Sequence, residues 1–367
     1  MIDTCELSPS YIRAIAPYQP GKPISELARE MGLSEAAIIK LASNENPLGV
    51  SPLARKAMEA ELDGLARYPD GNGYELKRAL AARYRVDAQC IVLGNGSNDV
   101  LELVARCFLY PGASAVMSQH AFVVYPLATQ VAGATKLETL ARDYGHDLDA
   151  MAGAVREDTR VIWIANPNNP TGTFVPAPRL EAFLRRVPRR IVVVLDEAYN
   201  EYLPDAVRTD SVLWLAQFPN LVITRTFSKA YGLAGLRVGF ALAHPDVADL
   251  MNRARQPFNV SGLAQAAATA ALEDREFVRQ SAELNRAGMR QLVDGLERLG
   301  LGHIESFANF VTFRAGAAPR VYQRLLEQGV IVRPIGMYGL PEHLRVTIGL
   351  PAENERFLHA LRAALHA

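Results

Sequence analysis

Leu221-Val222-Ile223-Thr224-Arg225-Thr226-Phe227-Ser228-Lys229-Ala230-Tyr231-Gly232 is an apolar run that leads onto a lysine and a glycine turn. Its first four residues read as a strand buried on both faces, since they do not alternate with polar residues. Two further runs, 161–165 (Val-Ile-Trp-Ile-Ala) and 191–195 (Ile-Val-Val-Val-Leu), have the same character. Ile91-Val92-Leu93 and Ala115-Val116-Met117 are shorter versions. Helical patterns at 74–84 and 100–109 lie among them. Strands of this kind alternating with helices predict an α/β fold with a mostly parallel sheet between helices. Ligands bind such sheets beyond the C-terminal ends of the strands, and Lys229 stands just past such an end.

After Pro245 the pattern changes. Helices dominate through Leu299, and the alternating segments Phe310-Val311-Thr312-Phe313 and Leu344-Arg345-Val346-Thr347-Ile348 follow. We therefore expect an N-terminal arm over 1–40 that packs with a small domain. A large domain is expected over 41–255 and the small α+β domain over 256–367. The chain has 367 residues, which suits one large and one small unit. Its 39 basic and 39 acidic residues cancel, whereas a nucleic-acid binder carries a basic surplus. No apolar run reaches membrane-spanning length, and the first residues lack the cationic start of a signal peptide. Cys5, Cys90 and Cys107 have no C-x-x-C spacing and read as reduced thiols of a cytoplasmic protein. The histidines are scattered without ligand spacing, so no metal is expected.

Several clusters follow the predicted strands. Lys229 has a flexible stem, and a pKa lowered by desolvation or by a nearby cation would let it form an imine with an aldehyde cofactor. Arg237 can supply that cation or hold a phosphate. Gly94-Asn95-Gly96-Ser97-Asn98-Asp99 joins a strand to a helix, and free N–H groups at a helix start hold phosphate well. It is neither G-x-G-x-x-G nor a Walker sequence. In Asn166-Pro167-Asn168-Asn169-Pro170-Thr171-Gly172, Asn169 can present its amide to a ring hydroxyl. In Asp196-Glu197-Ala198-Tyr199, a carboxylate directly after a buried strand needs a partner. A protonated pyridine nitrogen suits Asp196, and Tyr199 can donate to a ring oxygen. Phe122 can stack on an aromatic cofactor. His120 is given no catalytic role.

Together these motifs resemble the fold type I pyridoxal-phosphate aminotransferases, over nearly the whole chain. More narrowly, they are similar to the histidinol-phosphate aminotransferases, through 41–49 (LASNENPLG), Arg67-Tyr68-Pro69-Asp70, Arg255-Gln256-Pro257-Phe258-Asn259-Val260, Val332-Arg333-Pro334 and 338–349 (YGLPEHLRVTIG). The resemblance implies a seven-stranded-type sheet in the large domain and pyridoxal 5'-phosphate as cofactor. It implies that Lys229 forms the imine and shuttles a proton, that Asp196 pairs with the pyridine nitrogen, and that Asn169 and Tyr199 hold the ring oxygen. By the same resemblance Gly96, Ser97, Asn98, Thr226 and Arg237 bind the cofactor phosphate, and Phe122 stacks on the ring where many relatives carry Tyr. Tyr68 resembles a tyrosine that reaches the phosphate of the neighbouring subunit, which implies a homodimer. Arg345 resembles the arginine that binds the anionic group of the substrate, with Tyr18, Asn44 and Arg333 as further contacts. Ser261-Gly262 departs from the relatives, which often carry Asn there.

The implied reaction is transamination between histidinol phosphate and 2-oxoglutarate, with imidazole-acetol phosphate and glutamate as the other pair. Three rivals stay open. One is an aromatic amino acid aminotransferase, another is a phospho-amino-acid decarboxylase, and the third is a non-catalytic binding module.

Overall fold

The computed structural model describes residues 4–17 and 20–366. Tyr18 therefore lies outside the described residues. Strand β1 (Ile39–Lys40) is followed by seven strands that build one sheet: β2 (Ile91–Gly94), β3 (Ser114–Ser118), β4 (Thr135–Thr139), β5 (Thr159–Ala165), β6 (Val192–Asp196), β7 (Leu221–Thr226) and β8 (Gly239–Ala243). Their order is β2-β8-β7-β6-β5-β3-β4. β8 pairs antiparallel with both of its neighbours, and the remaining pairs are parallel. The expected α/β fold with a mostly parallel sheet is thus the observed one.

The apolar runs split their side chains between two cores, as the period of two in a strand requires. Ile162, Ile164, Val193 and Leu195 join one cluster with Leu76, Leu80, Phe227 and Phe240. Val161, Trp163, Val192 and Val194 join the other with Val100, Val104 and Tyr125. Both faces are covered by helices, so no alternation survives in the sequence. Sequence reasoning missed β4 and β8. β4 is an edge strand whose Thr135, Lys136 and Glu138 face solvent, so it carries no apolar run. β8 is a short run that alternates small residues with Phe240 and Leu242 behind a glycine-rich turn.

The chain then forms β9 (His303–Ile304), β10 (Phe310–Arg314), β11 (Val330–Ile331), β12 (Arg333–Pro334) and β13 (His343–Thr347). Four of these make an antiparallel sheet in the order β12-β13-β10-β9, while β11 pairs in parallel with β1. Val311, Phe313, Leu344 and Val346 of this sheet share a core with Leu292, Leu296, Phe357 and Leu361, contributed by helices Arg275–Arg298 and Pro351–His366.

Packing departs from the expected boundaries at two places. The helix Gly262–Glu273 lies beyond residue 255, yet its Ala264, Ala267, Ala268, Ala271 and Leu272 belong to the large-sheet core. An alanine-rich helix fills a narrow gap, and its composition does not tell which core it joins. In the arm, Leu27 and Ile38 pack on Leu326 and Ile331. Tyr11, however, lies against the large unit, where its carbonyl accepts from Gln130 Nε2 at 3.0 Å.

Candidate active site

The C-terminal ends of β5, β6 and β7 are adjacent, and the start of antiparallel β8 lies between the ends of β7 and β2. Ala165 is opposite Asp196, while Gly94 and Thr226 are both opposite Gly239. The loops that follow these ends, with Asn44 and residues of β12 and β13, enclose a cavity of about 220 Å³. It is lined by Ser97, Asn98, Phe122, Asn169, Asp196 and Tyr199, by Thr226, Lys229 and Arg237, and by Asn44, Arg333 and Arg345. Residues singled out in the sequence, from Asn44 to Arg345, therefore meet in one cavity.

Lys229 follows β7, and its Nζ donates to the Ser43 carbonyl at 3.1 Å. Burial lowers its pKa to about 8, helped by the positive charges of Arg345 and Arg237, while Glu45 opposes the shift. Asp196 closes β6. Its Oδ2 accepts from the Tyr125 hydroxyl at 2.9 Å, and Tyr125 is itself held by stacking on Trp163 at 5.3 Å. Oδ1 of Asp196 is buried and has no hydrogen-bond partner. Burial raises the Asp196 pKa, against the lowering effect of its hydrogen bonds. A cation placed beside Oδ1 would remove both penalties.

Tyr199 accepts from Asn44 Nδ2 at 2.9 Å. Burial pushes its pKa up to about 12, so the phenol keeps its proton at neutral pH and is a donor. Asn44 sits at φ 57°. Its backbone N–H donates to Thr347 Oγ1 at 2.9 Å, the Thr347 hydroxyl donates back to Asn44 Oδ1, and Asn309 Nδ2 donates to the Asn44 carbonyl. Thus Asn44 ties the four-stranded sheet to Tyr199, which follows β6 of the large sheet. Arg345 on β13 donates to Asn169 Oδ1 at 2.5 Å and to the Ala42 carbonyl at 2.8 Å, above the Phe310 ring.

At the other end of the cavity, Arg237 donates to Ser228 Oγ at 3.1 Å. Gly96, the residue before helix Ser97–Phe108, has φ 79° and ψ 166°, a region essentially reserved for glycine. A Cβ there would lie 2.3 Å from Arg237 Nη2. Gly96 therefore frames the Arg237 guanidinium from just behind the lining residues. Ser97, Ser228, Thr226, Arg237 and a helix start form a donor set suited to a phosphate. Orphaned Asp196 Oδ1 suits a protonated ring nitrogen. Phe122 lies edge-on to Tyr125, at 5.8 Å and 84°, and walls the space between. The residues present thus fit a phosphorylated pyridine aldehyde.

Tyr68 lies outside the cavity. It is 83% exposed and stacks on Phe258 at 4.8 Å. Sequence reasoning missed Tyr125, Ser228 and Tyr338. Ser228 carries a signal, a hydroxyl beside the key lysine. Tyr125 carries none, since its role depends on a strand end 71 positions away. His120 holds the Tyr338 carbonyl at 2.5 Å and stays a structural contact. Among the described residues no three His, Cys, Asp or Glu side chains cluster as metal ligands, and no helix is long and apolar enough to cross a membrane.

The family model of class I and II aminotransferases matches residues 36–361. The histidinol-phosphate aminotransferase 2 of Nitrosospira multiformis is 63% identical over 99% of this chain and 93% of that relative. Histidinol-phosphate aminotransferase 1 of Dechloromonas aromatica is 65% identical over 97% of this chain and 98% of its own length. The crystal structure of histidinol-phosphate aminotransferase from Sinorhizobium meliloti, solved in complex with pyridoxal-5'-phosphate, superposes with a TM-score of 0.90 at 28% identity, covering 97% of each chain. Aspartate aminotransferase from Thermus thermophilus with maleate shares the fold, with a TM-score of 0.82 at 23% identity, covering 97% of this chain and 98% of that one. On the strength of this near-complete match in sequence and fold, the chain belongs to the class I and II aminotransferases and, within them, to the histidinol-phosphate aminotransferases.

Proposed function

We propose that this protein is a pyridoxal-phosphate-dependent aminotransferase that exchanges an amino group between histidinol phosphate and 2-oxoglutarate, in histidine biosynthesis. The observation that carries the reading is the pairing, in one cavity, of a lysine of lowered pKa with an orphaned buried carboxylate oxygen. When bound, pyridoxal phosphate supplies the electron sink for the pair released as the substrate Cα–H bond breaks. The Lys229 Nζ, when neutral, would take that proton and hold it for return. Asp196 Oδ1 holds a proton on the ring nitrogen, and Tyr125 fixes the carboxylate from behind. Tyr199 donates to the ring oxygen, with Asn169 beside it, while Phe122 covers the ring. Ser97, Asn98, Thr226 and Arg237 take the phosphate, with Gly96 giving the turn room.

Arg345 takes the substrate anion, supported by Arg333 and Asn44. Its planar fork serves a phosphate and a carboxylate alike, which the two half-reactions need from one site. We read the active form as a cytoplasmic homodimer. Leu62, Leu65, Tyr68 and Phe258 are exposed apolar side chains, the kind of surface that a partner subunit covers, and Tyr68 would then reach the partner's phosphate site.

The test is the visible spectrum of the cofactor-loaded protein on adding histidinol phosphate without a keto acid. Discharge of the visible band at low substrate concentration, far more readily than by phenylalanine or tyrosine, is expected. Equal or better discharge by the aromatic amino acids would move the protein to that substrate class.

A further inference from the structure

Arg255 and Asn259, quoted above only for their resemblance to relatives, lie outside the cavity and have no part in the chemistry just described. Asn259 Nδ2 donates to the Leu93 carbonyl at 3.1 Å and to Asp99 Oδ2 at 2.7 Å. Leu93 precedes the turn 94–98 and Asp99 follows it, so a single amide spans the turn. The same Asp99 oxygen accepts from the Asn95 backbone N–H at 2.8 Å, inside the turn. Arg255 completes the chain: Nη1 donates to Asn259 Oδ1 at 2.7 Å and Nη2 to the Gly71 carbonyl at 2.9 Å. Gly71 belongs to the loop that carries Tyr68, and Phe258 stacks on Tyr68.

Electrostatics gives the arrangement its point. A carboxylate in the first turn of a helix occupies the positive end of the dipole, where a bound phosphate would also sit. Asp99 needs partners there that compensate its charge without displacing the phosphate. Asn259 and the Asn95 N–H both donate to its Oδ2, and Arg255 in turn donates to Asn259. Burial lowers the pKa of Arg255, and the charges of Asp99 and Asp70 oppose that shift, so the guanidinium and the two carboxylates sense one another.

We infer that Asp99, Asn259 and Arg255 form a positioning chain that holds the 94–98 turn in its phosphate-binding shape and ties it to the Tyr68 loop. The inference rests on the reading of that turn as the cofactor-phosphate site. Its signature is a loss of phosphate recognition with the rest of the cofactor site unchanged.

The test compares binding of pyridoxal 5'-phosphate with binding of pyridoxal, which lacks the phosphate, to the cofactor-free full chain by absorbance titration. Asn259→Ala is expected to weaken pyridoxal 5'-phosphate by about tenfold or more, the worth of a charge-assisted hydrogen bond, with pyridoxal changed less than about twofold. Asp99→Asn keeps an oxygen for both the Asn95 N–H and Asn259 Nδ2 and removes only the charge. It is expected to bind pyridoxal 5'-phosphate within about threefold of the parent. Equal weakening of both ligands, or no weakening, in Asn259→Ala would overturn the positioning role, as would an Asp99→Asn variant that binds no better than Asn259→Ala. A parent protein that binds the two ligands alike would overturn the phosphate reading of the turn, and the inference with it.

Discussion

Lys229 is the residue whose chemistry the structure sets most directly. An amine attacks an aldehyde only when neutral. With its pKa lowered from 10.5 to about 8, chiefly by burial and next by Arg345, about 10% of the amine is neutral at pH 7, against about 0.03% for an ordinary lysine. The environment therefore raises the reactive fraction about 300-fold. The sign follows directly. Below the folded pKa, each unit of pH raises the neutral fraction tenfold, and above it the fraction saturates. Capture of pyridoxal by cofactor-free protein, followed by stopped-flow absorbance, should accelerate up to about pH 8 and then level off. Arg345→Gln removes a neighbouring positive charge. It should move the midpoint upward yet leave it below 10.5, because burial remains the larger cause. Lys229→Ala should leave no product that borohydride can trap. A capture rate that climbs unbroken to about pH 10, as for an ordinary lysine, would refute the lowered pKa. A midpoint unmoved in Arg345→Gln would remove Arg345 from its causes.

Asp196→Asn should keep the fold but lose most of the turnover, since an amide cannot neutralise a protonated ring nitrogen; unimpaired steady-state activity would take Asp196 out of the mechanism. Gly96→Ala places a methyl group 2.3 Å from Arg237 Nη2 at a backbone geometry that alanine resists. Pyridoxal phosphate affinity should fall by at least about tenfold in equilibrium titration, and unchanged binding would contradict the cradle. Arg225 is bound to Glu197 at 2.7 Å and lies above Tyr84, both partners of the ion pair being buried. Arg225→Met strands Glu197 and should cost about 3–5 kcal/mol in urea unfolding, with a loss below about 1 kcal/mol counting against a desolvated pair.

What the sequence by itself determined is local and periodic. Continuous apolar runs at 161–165, 191–195 and 221–224 read as strands covered on both faces, and the α/β layering follows from that. Asp196, Asn169 and Lys229 were legible because each closely follows such a run and the three occur together; alone, a polar residue past a strand end is ordinary. The edge strand Thr135–Thr139 was not legible, because one side of an edge needs no burial and its side chains are polar. The alanine-rich helix Gly262–Glu273 packs on the large-sheet core although it lies past the expected division, since small side chains mark a close contact without saying with what. The tertiary structure alone decided which distant groups touch. Tyr125 reaches Asp196 across 71 positions, Asn44 reaches Tyr199 across 155, and Asn259 reaches Asp99 across 160. These contacts depend on how two sheets and their loops pack, and a hydrogen bond between distant residues leaves no period in either partner's neighbourhood.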